Sequence, residues 1–184
     1  MSSPDAAPDA DRRTLVLDSA MATFARFGYR KTSMEEVARA AHISRPGLYF
    51  LFSSKETLFR AAVTQTLERD ISAIEHTLAD TGRPLPERLV DAFDRWAGRY
   101  VGPLSGDVMV VIEDNPGLLG EIADTAPRRF EELVTDAIAS GATVEEAAPF
   151  ARTLISTSIG LKHQAGSREF YVDRMKTAVA LLVR

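Results

Sequence analysis

The chain has 184 residues, 45% of them hydrophobic, and a formal net charge of −4. That is enough for a buried core in one or two compact units, and the overall acidity argues against an indiscriminate polyanion binder. There is no cysteine, which excludes disulfides and thiolate metal sites and suits a cytoplasmic protein.

The mean charge hides an asymmetry. Between Ala10 and Arg60, nine Lys and Arg stand against five Asp and Glu, a balance of +4. From Ala61 onward thirteen stand against nineteen, a balance of −6. A basic head on an acidic body puts the meeting place for a negative partner at the head. No run of about 18 apolar residues occurs, so no membrane span is expected. Residues 1–10, rich in Pro, Ala, Asp and Ser, read as a disordered tail and not as a signal peptide.

The pattern along the chain is all-α. A first helix is expected from about Asp11 to Phe27, with Leu15, Leu17, Ala20, Phe24 and Phe27 buried and Gly28 ending it. Ser33 with Glu36 has capping-box spacing and opens a short helix, Met34 to Ala41. A turn leads to another, about Arg45 to Phe52. Ser53 or Ser54 then caps a long helix reaching about Leu78, with Glu56 in its first turn. Further helices are expected over Pro86–Val101, Gly106–Asp114, Leu118–Ser140 (kinked or divided at Pro127), Thr143–Ala165 and Arg168–Val183.

The two short helices need each other. Each has about two turns and is marginal alone, so they must pack together and on the first helix. Val37, Ala38 and Ala41, with Ile43, Leu48 and Phe52, supply the contact. The arrangement is a helix-turn-helix whose second helix is free on one side. Ser44 caps that helix, so Pro46 falls in the first turn, where its missing N–H has no cost. Gly47 leaves a bare backbone for a close approach. Arg45 at the front can reach a guanine edge or a phosphate; a tight helix start with no partner would leave the same residues.

The stretch "FARFGYRKTSMEEVARAAHISRPGLYFLFSSKETLF" resembles the DNA-binding domain of the TetR family of bacterial transcriptional regulators. The resemblance covers about fifty residues. It rests on the aromatic-Gly-Tyr end of helix one, the Thr-Ser start of helix two, the Ile-Ser turn, Leu-Tyr in helix three and Phe-x-Ser-Lys-Glu at helix four. It implies that Thr32 and Ser33 approach a phosphate, that Arg45, Pro46 and Gly47 behind Ser44 face base edges, that Tyr49 gives its hydroxyl to a phosphate, and that Lys55 clamps the DNA backbone. Two positions depart from the pattern. His42 stands where the family usually has glycine, either as a residue tolerating positive φ or as a charge near DNA. Phe50 and Leu51 stand where phosphate-binding Tyr or His is frequent, so either one touches a thymine methyl or turns inward.

The resemblance divides the chain into a tail at 1–10, a DNA-binding domain at 11–53, and a helical ligand-binding and dimerisation bundle at 54–184. Candidate ligand contacts are Phe93, Trp96, Tyr100, Met109, Phe130, Phe150 and His163, although an aromatic stripe at helical spacing also describes ordinary core. Candidates for pairing with a second copy are Thr153, Ser156, Thr157 and Gly160, then Phe170, Met175, Val179 and Leu182. The expected function is a homodimeric repressor on a near-palindromic double-stranded operator, released by a small-molecule effector. An activator, or a helical small-molecule carrier without DNA binding, is the alternative. There is no His-Glu-x-x-His, glycine-rich phosphate loop or nucleophile elbow, so no catalytic residue, cofactor or metal site is expected.

Overall fold

The computed structural model describes residues 6–101, 116–140 and 144–183. Among them are eight α-helices, two 3₁₀ turns and no strand. The helices are α1 (Ala6–Phe27), α2 (Met34–Ala40), α3 (Arg45–Leu51), α4 (Lys55–Ala79), α5 (Leu85–Trp96), α6 (Ile122–Ala139), α7 (Val144–Gln164) and α8 (Arg168–Leu182). The 3₁₀ turns are Gly98–Tyr100 and Pro116–Leu118. The expected helix at Gly106–Asp114 lies outside the described residues. Of the described residues, 6–66 and 116–120 form one compact unit, and 67–101, 121–140 and 144–183 form another.

In the first unit, α1 begins at Ala6, earlier than expected, so residues 6–10 of the predicted tail are helical. Alanine is the best helix former, and Pro8 falls in the first turn, where it is tolerated. The buried stripe of α1 is Val16, Leu17, Ala20 and Phe24. Leu15 and Phe27, both expected inside, are 66% and 47% exposed. Val16 takes the inward place because it is four residues before Ala20 and eight before Phe24, the helical repeat; Leu15 is rotated about 100° off it. Phe27 lies past the packed stripe under the Arg26 guanidinium, 5.0 Å away.

The first core is aromatic at its centre. Phe24 meets Phe59 edge-on, with centroids 5.2 Å apart, and Tyr29 lies 4.7 Å from Phe59. Leu58, Phe59, Ala62 and Val63 of α4 are buried. The Arg60 Nε donates to the Leu118 carbonyl at 2.7 Å.

The second unit is built from the end of α4 and from α5 to α8. Its core includes Ile74, Leu89, Phe93, Phe130, Val134, Leu154, Tyr171 and Met175. Helix α5 stops at Trp96 instead of running to Val101, and residues Gly98–Tyr100 tighten into a 3₁₀ turn. Gly98 is required there, since a Cβ would lie 2.8 Å from the Tyr171 ring. Helix α6 starts at Ile122, not Leu118, after a turn in which Gly120 has φ 65°. Pro127 lies within α6 without dividing it.

Candidate nucleic-acid interface

The approach to α3 is shaped by hydrogen bonds made within a few residues. Ser33 and Glu36 form the expected capping box: the Glu36 N–H donates to Ser33 Oγ at 3.2 Å, and the Ser33 N–H donates to Glu36 Oε2 at 2.7 Å. These bonds to Ser33 hold the Glu36 carboxyl below its usual range, the backbone bond first. Helix α2 ends in a left-handed residue. His42 has φ 54°, its N–H donates to Arg39, and the Ile43 N–H donates to Ala38 at 3.0 Å. That pairing is the Schellman ending, in which glycine normally occupies the position of His42. His42 is therefore the turn residue of the two alternatives.

Ser44 caps α3 by accepting the Gly47 N–H at 3.1 Å, and Pro46 lies in the first turn. Leu48 is fully buried and anchors the helix, and Phe52 is buried just beyond it. At 100° per residue, Phe50 and Pro46 project from the side opposite Leu48, with Tyr49 flanking them. Exposure follows that geometry: Phe50 is 89% exposed and Tyr49 42%. The Arg45 side chain is exposed, with its guanidinium 5.7 Å from the Tyr49 ring centroid and a weak 3.9 Å approach to Glu35.

Two residues assigned to phosphate sit differently. Thr32 is buried, and its hydroxyl donates to the Gly28 carbonyl at 2.8 Å. It closes the turn after α1 and does not face outward. The Lys55 ammonium donates to the carbonyls of Tyr29 and Thr32, both at 3.1 Å, and lies 4.5 Å from the Tyr29 ring centroid. It clamps this protein's own backbone, tying α4 to the turn before α2. Burial, then the nearby Glu56 charge, raises the Tyr29 hydroxyl pKa.

Two arginines on α1 escaped the sequence reading. Arg13 donates to the Leu51 carbonyl at 3.4 Å and covers the Phe52 ring at 4.3 Å. The Arg12 guanidinium comes within about 4.0 Å of where a Gly47 side chain would begin. Both belong beside α3, and only folding brings them there.

Residues 16–62 match the family model described as bacterial regulatory proteins, tetR family. Over these residues the chain is similar to the TetR family of transcriptional regulators. It is 38% identical over 58 residues to the uncharacterized HTH-type transcriptional regulator YhgD of Bacillus subtilis (strain 168), covering 32% of this chain and 30% of that one. It is 35% identical over 57 residues to the HTH-type transcriptional regulator RutR of Escherichia coli (strain K12), covering 31% and 27%. The chain thus spans less than a third of the length of these curated relatives. A solved transcriptional regulator from Rhodococcus sp. Rha1 has the same fold, with a TM-score of 0.74 at 17% identity over 92% of this chain and 95% of that one.

The second unit departs most from the residue roles expected. Phe93 and Phe130 are buried edge to face, 5.2 Å apart, and Trp96 stacks on Phe130 at 4.7 Å and 8°. These three are packed core, so Phe93 and Phe130 offer no surface to a ligand. Phe150 packs against the same core, and His163 is exposed. Met109 lies outside the described residues. The Tyr100 hydroxyl donates to Asp70 Oδ2 at 2.7 Å, while Arg95 and Arg99 reach Oδ1 at 3.2 and 2.7 Å. Burial and the bond to Asp70 raise the Tyr100 pKa.

The pairing residues are divided by burial. Met175 and Val179 lie in the protomer's own core, because the repeat Tyr171–Met175–Val179 is the inward stripe of α8. Leu182 packs against that core as well. Phe170 is 49% exposed, and Thr153 and Ser156 are exposed on α7. Thr157 is half-buried with its hydroxyl on the Thr153 carbonyl. A Cβ on Gly160 would meet nothing within 4 Å. Ile159 and Leu181, not foreseen, are also exposed on α7 and α8.

Proposed function

We propose that this chain is a DNA-binding transcriptional regulator that binds a near-palindromic duplex operator as a homodimer and is released by a small molecule. The observation carrying this reading is α3 itself. It is anchored by Leu48 and presents Arg45, Tyr49 and Phe50 outward, with Ser44, Pro46 and Gly47 forming its tight front and Ser33 exposed at the start of α2. Residues 11–53 would then read DNA, while 54–184 bind effector and partner. Two copies of α3 would enter successive major grooves about 34–36 Å apart.

The pairing surface we assign is the outer face of α7 and α8, with Ile159, Phe170 and Leu181 as apolar contacts and Thr153, Ser156 and Gly160 between them. An effector that favours a different spacing of the two reading helices lowers operator affinity by its differential binding. Helix α4 runs unbroken from Lys55 to Ala79 and carries the chain from the first unit into the second. Repression is the default outcome of such release; activation would follow from another promoter position.

The test is selection of duplexes from a random pool at stated salt. Recovery of an inverted repeat is expected, and Arg45→Ala should abolish its retention while leaving helicity and dimer size intact. Retention without sequence preference, or a monomer by light scattering, would defeat the proposal.

A further inference from the structure

We propose that Phe50 reads the C5-methyl group of a thymine in the major groove and so sets one base of each half-site. This rests on the DNA-binding reading above. Among the described residues Phe50 is the most exposed of the large apolar side chains, at 89%. Its position is dictated by the helix: two residues past buried Leu48 is a rotation of about 200°, the far side from the core. Pro46, four residues earlier, completes the same outer ridge. Tyr49 flanks that ridge and has the Arg45 guanidinium 5.7 Å from its ring centroid, so the Phe50 ring projects next to the polar groups proposed to meet the duplex.

The chemistry narrows the target. A phenyl ring has no donor or acceptor, so it cannot replace a phosphate-binding hydroxyl or imidazole. In the major groove the thymine C5-methyl is the apolar group a base pair presents. Leu51, the other apolar residue at this place, is half-buried, and its carbonyl is held by Arg13. That leaves Phe50 to make the contact. Arg12 and Arg13 are different in kind: a guanidinium on a phosphate adds affinity without sequence.

The experiment uses the duplex recovered by selection with the full chain, at one fixed salt concentration. Each thymine of a half-site is replaced in turn by deoxyuridine, which keeps its pairing but lacks the methyl. At one position the wild-type protein should lose about fourfold or more in affinity, the worth of one methyl taken out of water. Phe50→Ala should bind thymine and deoxyuridine equally there, with an unchanged unfolding midpoint, and Phe50→Tyr should keep the discrimination. The proposal is overturned if no deoxyuridine substitution weakens the wild type, or if Phe50→Ala discriminates as the wild type does. If selection recovers no sequence at all, it is the DNA-binding reading that has failed.

Discussion

In the first unit the turns and helix starts around α2 and α3 are closed by polar groups a few residues apart, while Arg13, Lys55 and Arg60 reach farther. Ser33 pairs with Glu36, Ser44 with Gly47, Ser54 with Thr57, and Thr32 with Gly28. In the second unit the decisive pairs join distant segments. Asp70 on α4 takes Arg95, Arg99 and Tyr100. The Tyr171 hydroxyl on α8 lies 2.7 Å from Ser158 Oγ on α7 and donates to the Phe93 carbonyl on α5 at 3.3 Å. Arg168 grips Asp94 with two donors, and buried Arg88 donates to the Leu78 carbonyl at the end of α4. A short helix held by a local cap and one buried anchor, as α3 is by Ser44 and Leu48, can leave its other face uncommitted. Cross-links of this kind tie helices together across the second unit, with Asp70 buried and its arginine partners partly solvated.

The contrast can be broken, most forcefully, at the first core. Phe24→Ala removes a fully buried ring and should cost about 3–5 kcal/mol. Trp96, the chain's one tryptophan, lies in the second unit and reports on it by fluorescence. Loss of helical signal and operator binding ahead of the fluorescence transition is expected. A fluorescence transition shifted by the same amount would mean the two units unfold as one.

A smaller effect is expected at Asp70. Asp70→Ala leaves two arginines without their carboxylate, but both guanidiniums are partly solvated, so about 1–3 kcal/mol is expected. Here the Trp96 transition should move and the operator contacts should not. An unmoved denaturant midpoint would show that the cross-link does not hold the body.

Tyr171 sharpens the same point through pH. Burial, as the main cause, pushes its hydroxyl up to about 12. The folded state therefore holds this proton where the unfolded chain, titrating near 10, has released it. Its stabilising effect is complete below about pH 10 and is lost as pH rises toward about 12. Tyr171→Phe should cost about 1 kcal/mol at neutral pH and flatten the alkaline fall in unfolding midpoint. An equally steep fall in the variant would count against Tyr171 as its source.

The smallest effect has the opposite sign. His42→Gly relieves left-handed strain and should stabilise the first unit by up to about 1 kcal/mol, after the greater freedom of glycine in the unfolded chain is subtracted. A drop in midpoint would show that the imidazole contributes more than the turn costs.

Legibility followed the same division. Gly28, Ser33 with Glu36, Ser44 with Pro46, and the turn at His42 are signals read within four residues, and the structure places helix ends at each. Leu15 is exposed because Val16 holds the inward place in the repeat, and Phe27 because the packed stripe ends before it, which a helical repeat alone does not tell. The same ambiguity put Met175 and Val179 on an outer surface. Lys55 and Thr32 were sent outward by resemblance, yet carbonyls presented by the turn after α1 engage them first.

The sequence by itself determined the all-α class, the short paired helices and the capped front of α3, because caps, breakers and helical repeats act over one or two turns. Only the tertiary structure decided that Arg12 and Arg13 stand beside α3, that Asp70 gathers Arg95, Arg99 and Tyr100, and that Phe93, Trp96 and Phe130 pack together. Those outcomes depend on which helices meet. That choice is made by burying whole faces at once, a free energy no local stretch of sequence carries.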